Sequence, residues 1–212
     1  YVTTADDGTC TPSTSNDRCG VHTNSGVLNH WFYIVTAGKA GTNNAPVSSG
    51  GAFAYNVTGI GMAKSAQITY YAERDYLTPN ATFMDMRNAT IAVASSLYCA
   101  TSPEVQSVTK AWKAVNVGAN YTALASDVAL KSISGGNVNV ACGATYNPSI
   151  IIENAGTATI TAATITYNVD GGANSTINWT VTLSNCAVQA ITIPVTGLTR
   201  GTHVLNVTST VS

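Results

Sequence analysis

Between Ala119 and Ser126 the spacing of apolar residues changes from a helical repeat to alternation. One apolar position in every three or four makes a helix with a buried stripe, whereas every second position makes a strand with a buried face. No single regular element serves both patterns, so the change of period predicts a multi-domain chain. A mainly α-helical domain is expected over residues 1–118, a linker over 119–126 and an all-β domain over 127–212. With 212 residues and 45% hydrophobic content, the chain can fill two cores.

Four helices are expected upstream. From Ser25 to Thr36, the residues Val27, Leu28, Trp31, Phe32, Ile34 and Val35 leave almost no polar face, which predicts a central, buried helix. His30 inside it is expected to be packed or to face a partner. Residues 37–54 are rich in Gly, Ser and Asn and read as a long loop. After Gly61, the residues Ala63, Ala66, Tyr70 and Leu77 recur at helical spacing until Pro79 ends the pattern. A third helix is expected from Met84 to Tyr98, with Ile91, Ala94 and Tyr98 on one face. In the last, Ser102 offers a cap and Pro103 suits the first helical position. Its apolar stripe of Val105, Val108, Trp112 and Val115 is closed by Gly118.

Downstream, Ile150-Ile151-Ile152, Thr159 to Val169, Ile177 to Val181 and Val188 to Val195 are rich in β-branched residues and bounded by turns. Asp170-Gly171-Gly172 signals a hairpin between two of them. Several short strands at regular spacing predict an antiparallel sandwich. Trp179 could serve as a sugar platform, but on an alternating strand a tryptophan more often belongs to the core, and His203, beside a turn, is expected at the surface.

Charge excludes some partners. A net charge of -1 argues against nucleic acid, and no apolar run is long enough to span a bilayer. Charged residues make up 9% of the chain against a usual share of about 25%, so neutral polar side chains must cover the surface. That style suits a secreted or cell-surface protein. The five cysteines cannot all pair within one chain. Cys10 and Cys19 flank a short polar loop that a disulfide would brace. Cys142 and Cys186 could join two strands, which leaves Cys99 over. No C-x-x-C pair is present, so thiol ligation of a metal is not expected. Asp6 and Asp7 beside Gly8 offer carboxylates to calcium, but such a pair is most simply a solvated turn, and no calcium site is assigned.

The chemistry-bearing stretch is Cys19-Gly20-Val21-His22-Thr23-Asn24-Ser25-Gly26, which sets a histidine at the entrance of the first helix. A histidine there has a fixed backbone, a ring free to face a cleft, and a pKa near the working pH. Asp17 lies five residues before it. Further on come Gly59-Ile60-Gly61, Tyr76-Leu77-Thr78-Pro79, Ser102-Pro103-Glu104-Val105 and Ala114-Val115-Asn116-Val117-Gly118. Together these residues resemble the segment carrying the non-zinc catalytic histidine of the thermolysin-like neutral metalloproteases, and successive landmarks of that family's C-terminal helical domain.

The resemblance covers about the first 118 residues and implies a role for each site residue. His22 would stabilise the tetrahedral intermediate of peptide hydrolysis, and Asp17 would hold its ring. Arg18 and Cys19 depart from the asparagine and glycine that the resemblance leads us to expect; a cation so close to His22 could lower its pKa, and whether Arg18 points at the ring is open at this level. The family binds zinc through H-E-x-x-H plus a distant glutamate. The three histidines here, His22, His30 and His203, include no pair at that spacing. The chain therefore reads as the C-terminal part of a secreted zinc metalloendopeptidase. Its zinc would be held by the N-terminal half of the same precursor, its substrates would be peptides or proteins, and alone it would be inactive.

Two other readings stand beside this one. A Ser-His-Asp hydrolase from Ser25, His22 and Asp17 lacks a nucleophile elbow. The second half resembles the bacterial cell-adhesion-related immunoglobulin-like domains, through Asp127-Val128-Ala129-Leu130, Asn154-Ala155-Gly156-Thr157, Tyr167 to Gly172, Asn178-Trp179 and Gly201-Thr202-His203. That likeness implies an alternative function, a non-catalytic binding or adhesion fragment whose sandwich docks a glycan or a cell surface.

Overall fold

The computed structural model describes residues 10–134 and 138–211, so the Asp6-Asp7-Gly8 turn lies outside the described residues. The chain divides into two compact units, Tyr1–Tyr98 with Ser102–Thr122, and Cys99–Thr101 with Ala123–Ser212. Among the described residues, no helix is long and apolar enough to cross a membrane.

The first unit holds α1 (Asp17–Ala37), α2 (Met62–Tyr76), α3 (Phe83–Tyr98) and α4 (Pro103–Ala114). All four contribute to one core, built around Trp31, Ile34, Ile68, Val93, Val108 and Trp112. The α4 start follows its sequence, with Ser102 Oγ accepting from the Val105 N–H at 3.3 Å and Pro103 at the first helical position. Thr82 and Asp85 cap α3 reciprocally: the Asp85 carboxylate accepts from the Thr82 N–H at 2.8 Å, and the Thr82 hydroxyl accepts from the Asp85 N–H at 3.2 Å.

Two helices differ from expectation. α1 is buried on one side only: Trp31, Ile34 and Val35 are buried, Val27, Leu28 and Phe32 are half-buried, and Tyr33 and His30 are exposed. Its apolar residues surround the helix, but only one side meets the core of this unit, so His30 is not packed. The buried face of α2 is Ser65, Ile68 and Ala72, while Ala63, Ala66 and Tyr70 are exposed. Ser65 can be buried because its hydroxyl donates to Gly61 O at 2.8 Å and accepts from Thr36 Oγ1 at 2.7 Å. A polar letter on the inner face thus shifts the apparent stripe to the wrong side.

The stretch expected as a long loop contains β1 (Lys39–Asn43) and the first two residues of β2 (Phe53–Val57), and the two strands pair antiparallel. The polar composition of β1 hides it, and contacts with the end of α4 hold the pair. The Asn43 amide donates to Ala114 O at 2.8 Å, and the Lys113 ammonium sits 4.0 Å from the Phe53 ring centroid. Gly59 lets the chain leave β2 close to α1, since a Cβ there would lie 2.6 Å from the Ala37 carbonyl carbon.

Among the described residues, the second unit holds six strands: β3 (Val128–Ile133), β4 (Ser149–Asn154), β5 (Ile160–Val169), β6 (Ser175–Leu183), β7 (Val188–Thr192) and β8 (Leu205–Val211). They form two three-stranded antiparallel sheets, ordered β3-β4-β7 and β6-β5-β8. Both sheets feed one apolar core, including Ile150, Ile152, Ile165 and Leu183, with Trp179 half-buried against it. The Asp170-Gly171-Gly172 hairpin forms between β5 and β6, with Asp170 at φ 54° and Gly171 at φ 71°.

The cysteine pairing of this unit corrects the sequence expectation. Cys186 pairs with Cys99 rather than Cys142, and Cys142 is free and exposed. The segment Cys99–Thr101 groups with this unit, where the Asn185 amide donates to Thr101 Oγ1 at 2.5 Å and to Gly156 O at 2.6 Å.

Candidate functional site

His22 is placed by an unusual backbone. Asp17, Arg18, Cys19 and Gly20 have φ of 54°, 47°, 69° and 80°, which makes one left-handed turn before the right-handed part of α1 begins. For residues with a Cβ this conformation costs about 1–2 kcal/mol each, so neighbouring contacts must hold it. Asn16 supplies three of them: its side-chain oxygen accepts from the N–H groups of Ser13 (2.9 Å) and Cys19 (3.1 Å), and its amide donates to Thr11 O at 3.0 Å. The Cys10–Cys19 disulfide ties the same segment covalently, as the loop between them leads one to expect.

The turn reverses the chain so that Asp17 faces the start of the right-handed helix. Its carboxylate accepts from the His22 backbone N–H at 3.0 Å and also from the Thr23 N–H, where orphan donors and the helix dipole favour negative charge. The other carboxylate oxygen meets His22 Nδ1 in a side-chain hydrogen bond. That bond, followed by simple charge attraction, raises the pKa of His22 above the ordinary histidine value. The same bond lowers the pKa of Asp17. The imidazole responds to Asp17 and not to Arg18, whose side chain is exposed. The ring itself is exposed, with Nδ1 engaged and, among the described residues, no hydrogen-bond partner at Nε2.

Ser25 takes no part as a nucleophile in this geometry. Its hydroxyl donates to the backbone carbonyl of His22 at 2.7 Å rather than to the ring. This leaves the Ser-His-Asp reading without its central hydrogen bond. His30 is exposed, and its pKa is lowered by partial desolvation and by Lys39.

Sequence reasoning missed a second histidine–aspartate pair. His203 Nδ1 lies 2.7 Å from Asp170 Oδ2, and its Nε2 lies 3.1 Å from Thr199 O. The expectation of a plain surface residue is therefore corrected: His203 is half-buried and clamps the loop before β8 to the β5–β6 hairpin. Asp170 and His203 are 33 residues apart, so no local signal joins them.

The residues present do not fit a zinc site. Among the described residues, no group of three or more His, Cys, Asp or Glu side chains could hold a metal ion.

Residues 2–117 match the family described as thermolysin metallopeptidase, alpha-helical domain. The chain is similar to bacillolysin of Bacillus caldolyticus and to thermolysin of Alicyclobacillus acidocaldarius subsp. acidocaldarius, each 40% identical over 103 residues covering 49% of this chain. It is also similar, at 40% identity over 103 residues, to bacillolysin of Brevibacillus brevis. The matched stretch spans 17% to 18% of the length of these relatives. With more than half of its length matched, and that half carrying the Asp17–His22 pair, the chain belongs to the thermolysin metallopeptidase family through that family's α-helical domain.

Proposed function

We propose that this chain is the C-terminal part of a secreted zinc metalloendopeptidase in which His22 stabilises the tetrahedral intermediate of peptide hydrolysis. The observation that carries the reading is the bond between Asp17 and His22 Nδ1 in a member of this family. Water attack on a scissile carbonyl leaves negative charge on the carbonyl oxygen. An imidazolium whose Nδ1–H is held by Asp17 presents Nε2–H to that oxygen, and a donor aimed at developing charge is worth about 3–4 kcal/mol. Asp17 keeps the ring charged and oriented, while zinc and the rest of the substrate cleft would come from polypeptide outside residues 1–212. The protein would thus take peptides as substrate and the zinc-binding half of its own precursor as partner.

We read residues 1–118 as the peptidase helical domain, 119–126 as the linker and 127–212 as an immunoglobulin-like sandwich. The two antiparallel sheets on one shared core support the last assignment.

The test is His22→Ala in the intact precursor. Turnover should fall by roughly 100- to 1,000-fold with KM little changed. Asp17→Asn should move the alkaline limb of the pH–rate profile toward lower pH, because the raised pKa of His22 then returns toward its ordinary value. Full turnover in the His22 variant refutes the assignment, and so does peptide cleavage by residues 1–212 alone.

A second reading, binding through the β-rich unit, is favoured by one observation. The outward rows of the β6-β5-β8 sheet pair Thr164 with Asn178 and Thr210, Thr166 with Thr176 and Thr208, and Asn168 with Asn206. These rows carry no charged or aromatic side chain, which suits hydrogen bonding to a neutral hydroxyl-rich glycan. Retention of the chain on an insoluble neutral polysaccharide, lost in T166K/T208K, supports this reading. No retention of the unmodified chain removes it.

A further inference from the structure

We propose that Cys10 and Cys19 are positioning residues for His22, and that their disulfide holds the left-handed turn that sets the Asp17 carboxylate against the ring. Four consecutive residues, Asp17 to Gly20, lie in the left-handed region, and Gly20 alone of them lacks a Cβ. A chain of L-residues does not rest there by preference. Cys19 is the residue of this turn with the highest positive φ among those carrying a side chain, at 69°. It is also the buried one, at 5% exposure, because its side chain turns back to Cys10 across a sequence separation of 9.

The bond closes a small loop in which Asn16 already ties Thr11 and Ser13 to the Cys19 N–H. Loop and turn are therefore one clasp. Its free end is Asp17, with two oxygens on His22, one to the backbone N–H and one to the ring. If the disulfide opens, the segment regains freedom, the turn relaxes toward ordinary backbone angles, and the carboxylate leaves the imidazole. Asp17 is the charged group in contact with the ring, and the neighbouring Arg18 is exposed. The physiological consequence is redox dependence: the charge on His22 is secured only in an oxidising compartment.

The inference rests on the proposed role of His22 for its catalytic meaning, but its test reads the titration of the ring. A protease carrying His22→Ala with full turnover would sink the catalytic role and leave the clasp standing. The three histidines of the full 212-residue chain are titrated by NMR as unmodified protein, as C10S/C19S and as C10S/C19G. In the serine variant the His22 midpoint should fall from its raised position to the ordinary value of about 6.5. His203, paired with Asp170 in the other unit, serves as an internal reference and should not move. Glycine at position 19 accepts positive φ without strain, so C10S/C19G should restore the raised midpoint without any covalent bond. A raised His22 midpoint in C10S/C19S, a parallel fall at His203, or no recovery with glycine would each overturn the proposal.

Discussion

Trp31 of α1 and Trp112 of α4 stack with ring centroids 4.5 Å apart and 21° between their planes, and both are buried. The Trp112 indole N–H also donates to Thr90 Oγ1 at 2.9 Å, so one side chain joins α1, α3 and α4. Trp112→Ala should destabilise the helical unit by about 3–5 kcal/mol, from lost burial and the cavity left behind. Trp112→Phe should cost less, since it keeps most of the packing and forfeits the hydrogen bond. Urea unfolding followed by far-ultraviolet circular dichroism measures both, and a loss of under about 1 kcal/mol for the alanine variant would contradict this core.

Asn154, fully buried at the end of β4, donates to Ala158 O and to Leu183 O, each at 2.8 Å, and accepts from the Gly156 N–H at 2.9 Å. No apolar side chain can satisfy those three backbone groups. Asn154→Leu should therefore cost about 1–3 kcal/mol per group left without a partner, and destabilise the β-rich unit more than any neighbouring exposed Thr→Val change. Equal stability of the two variants in thermal unfolding would argue against the network.

Peptide mapping without reduction should recover Cys10 joined to Cys19 and Cys99 joined to Cys186, with Cys142 alone alkylated. A peptide containing Cys142 joined to Cys186 would restore the pairing that sequence proximity suggests and displace Cys99 from the β-rich unit.

His203 donates from both ring nitrogens, toward Asp170 and toward Thr199 O, which a neutral imidazole cannot do. The hydrogen bond with Asp170, then that with Thr199, raises its pKa above the ordinary histidine value. A raised folded-state pKa contributes stability that is complete below about pH 6.5 and is lost as pH rises through the folded value. Unfolding curves taken from about pH 5 to about pH 9 should show that loss in the unmodified chain. The difference between the unmodified chain and Asp170→Asn should shrink as pH rises. A difference independent of pH would mean that the pair carries no charge.

Local patterns determined much of this protein. Ser102-Pro103 with the Val105–Val108–Trp112 stripe needs nothing distant to start and bury a helix, and α4 forms where those letters place it. Asp170-Gly171-Gly172 needs only positive φ to turn β5 into β6. Asp17 and His22, five apart, come together because one turn and one helix start lie between them.

The tertiary structure decided whatever depends on residues remote in sequence. Ser65 reads as an outer letter of α2 until Thr36 meets it across 29 positions. β1 is too polar to announce itself, and the end of α4 holds it. Cys186 passes over Cys142, only 44 positions before it, for Cys99 across a separation of 87. Asp170 reaches His203 only after β8 has come alongside β5. The physical reason is common to all four: a pattern of a few residues reports the element that it forms, whereas a partner is chosen by which elements pack together, and that follows from the whole core.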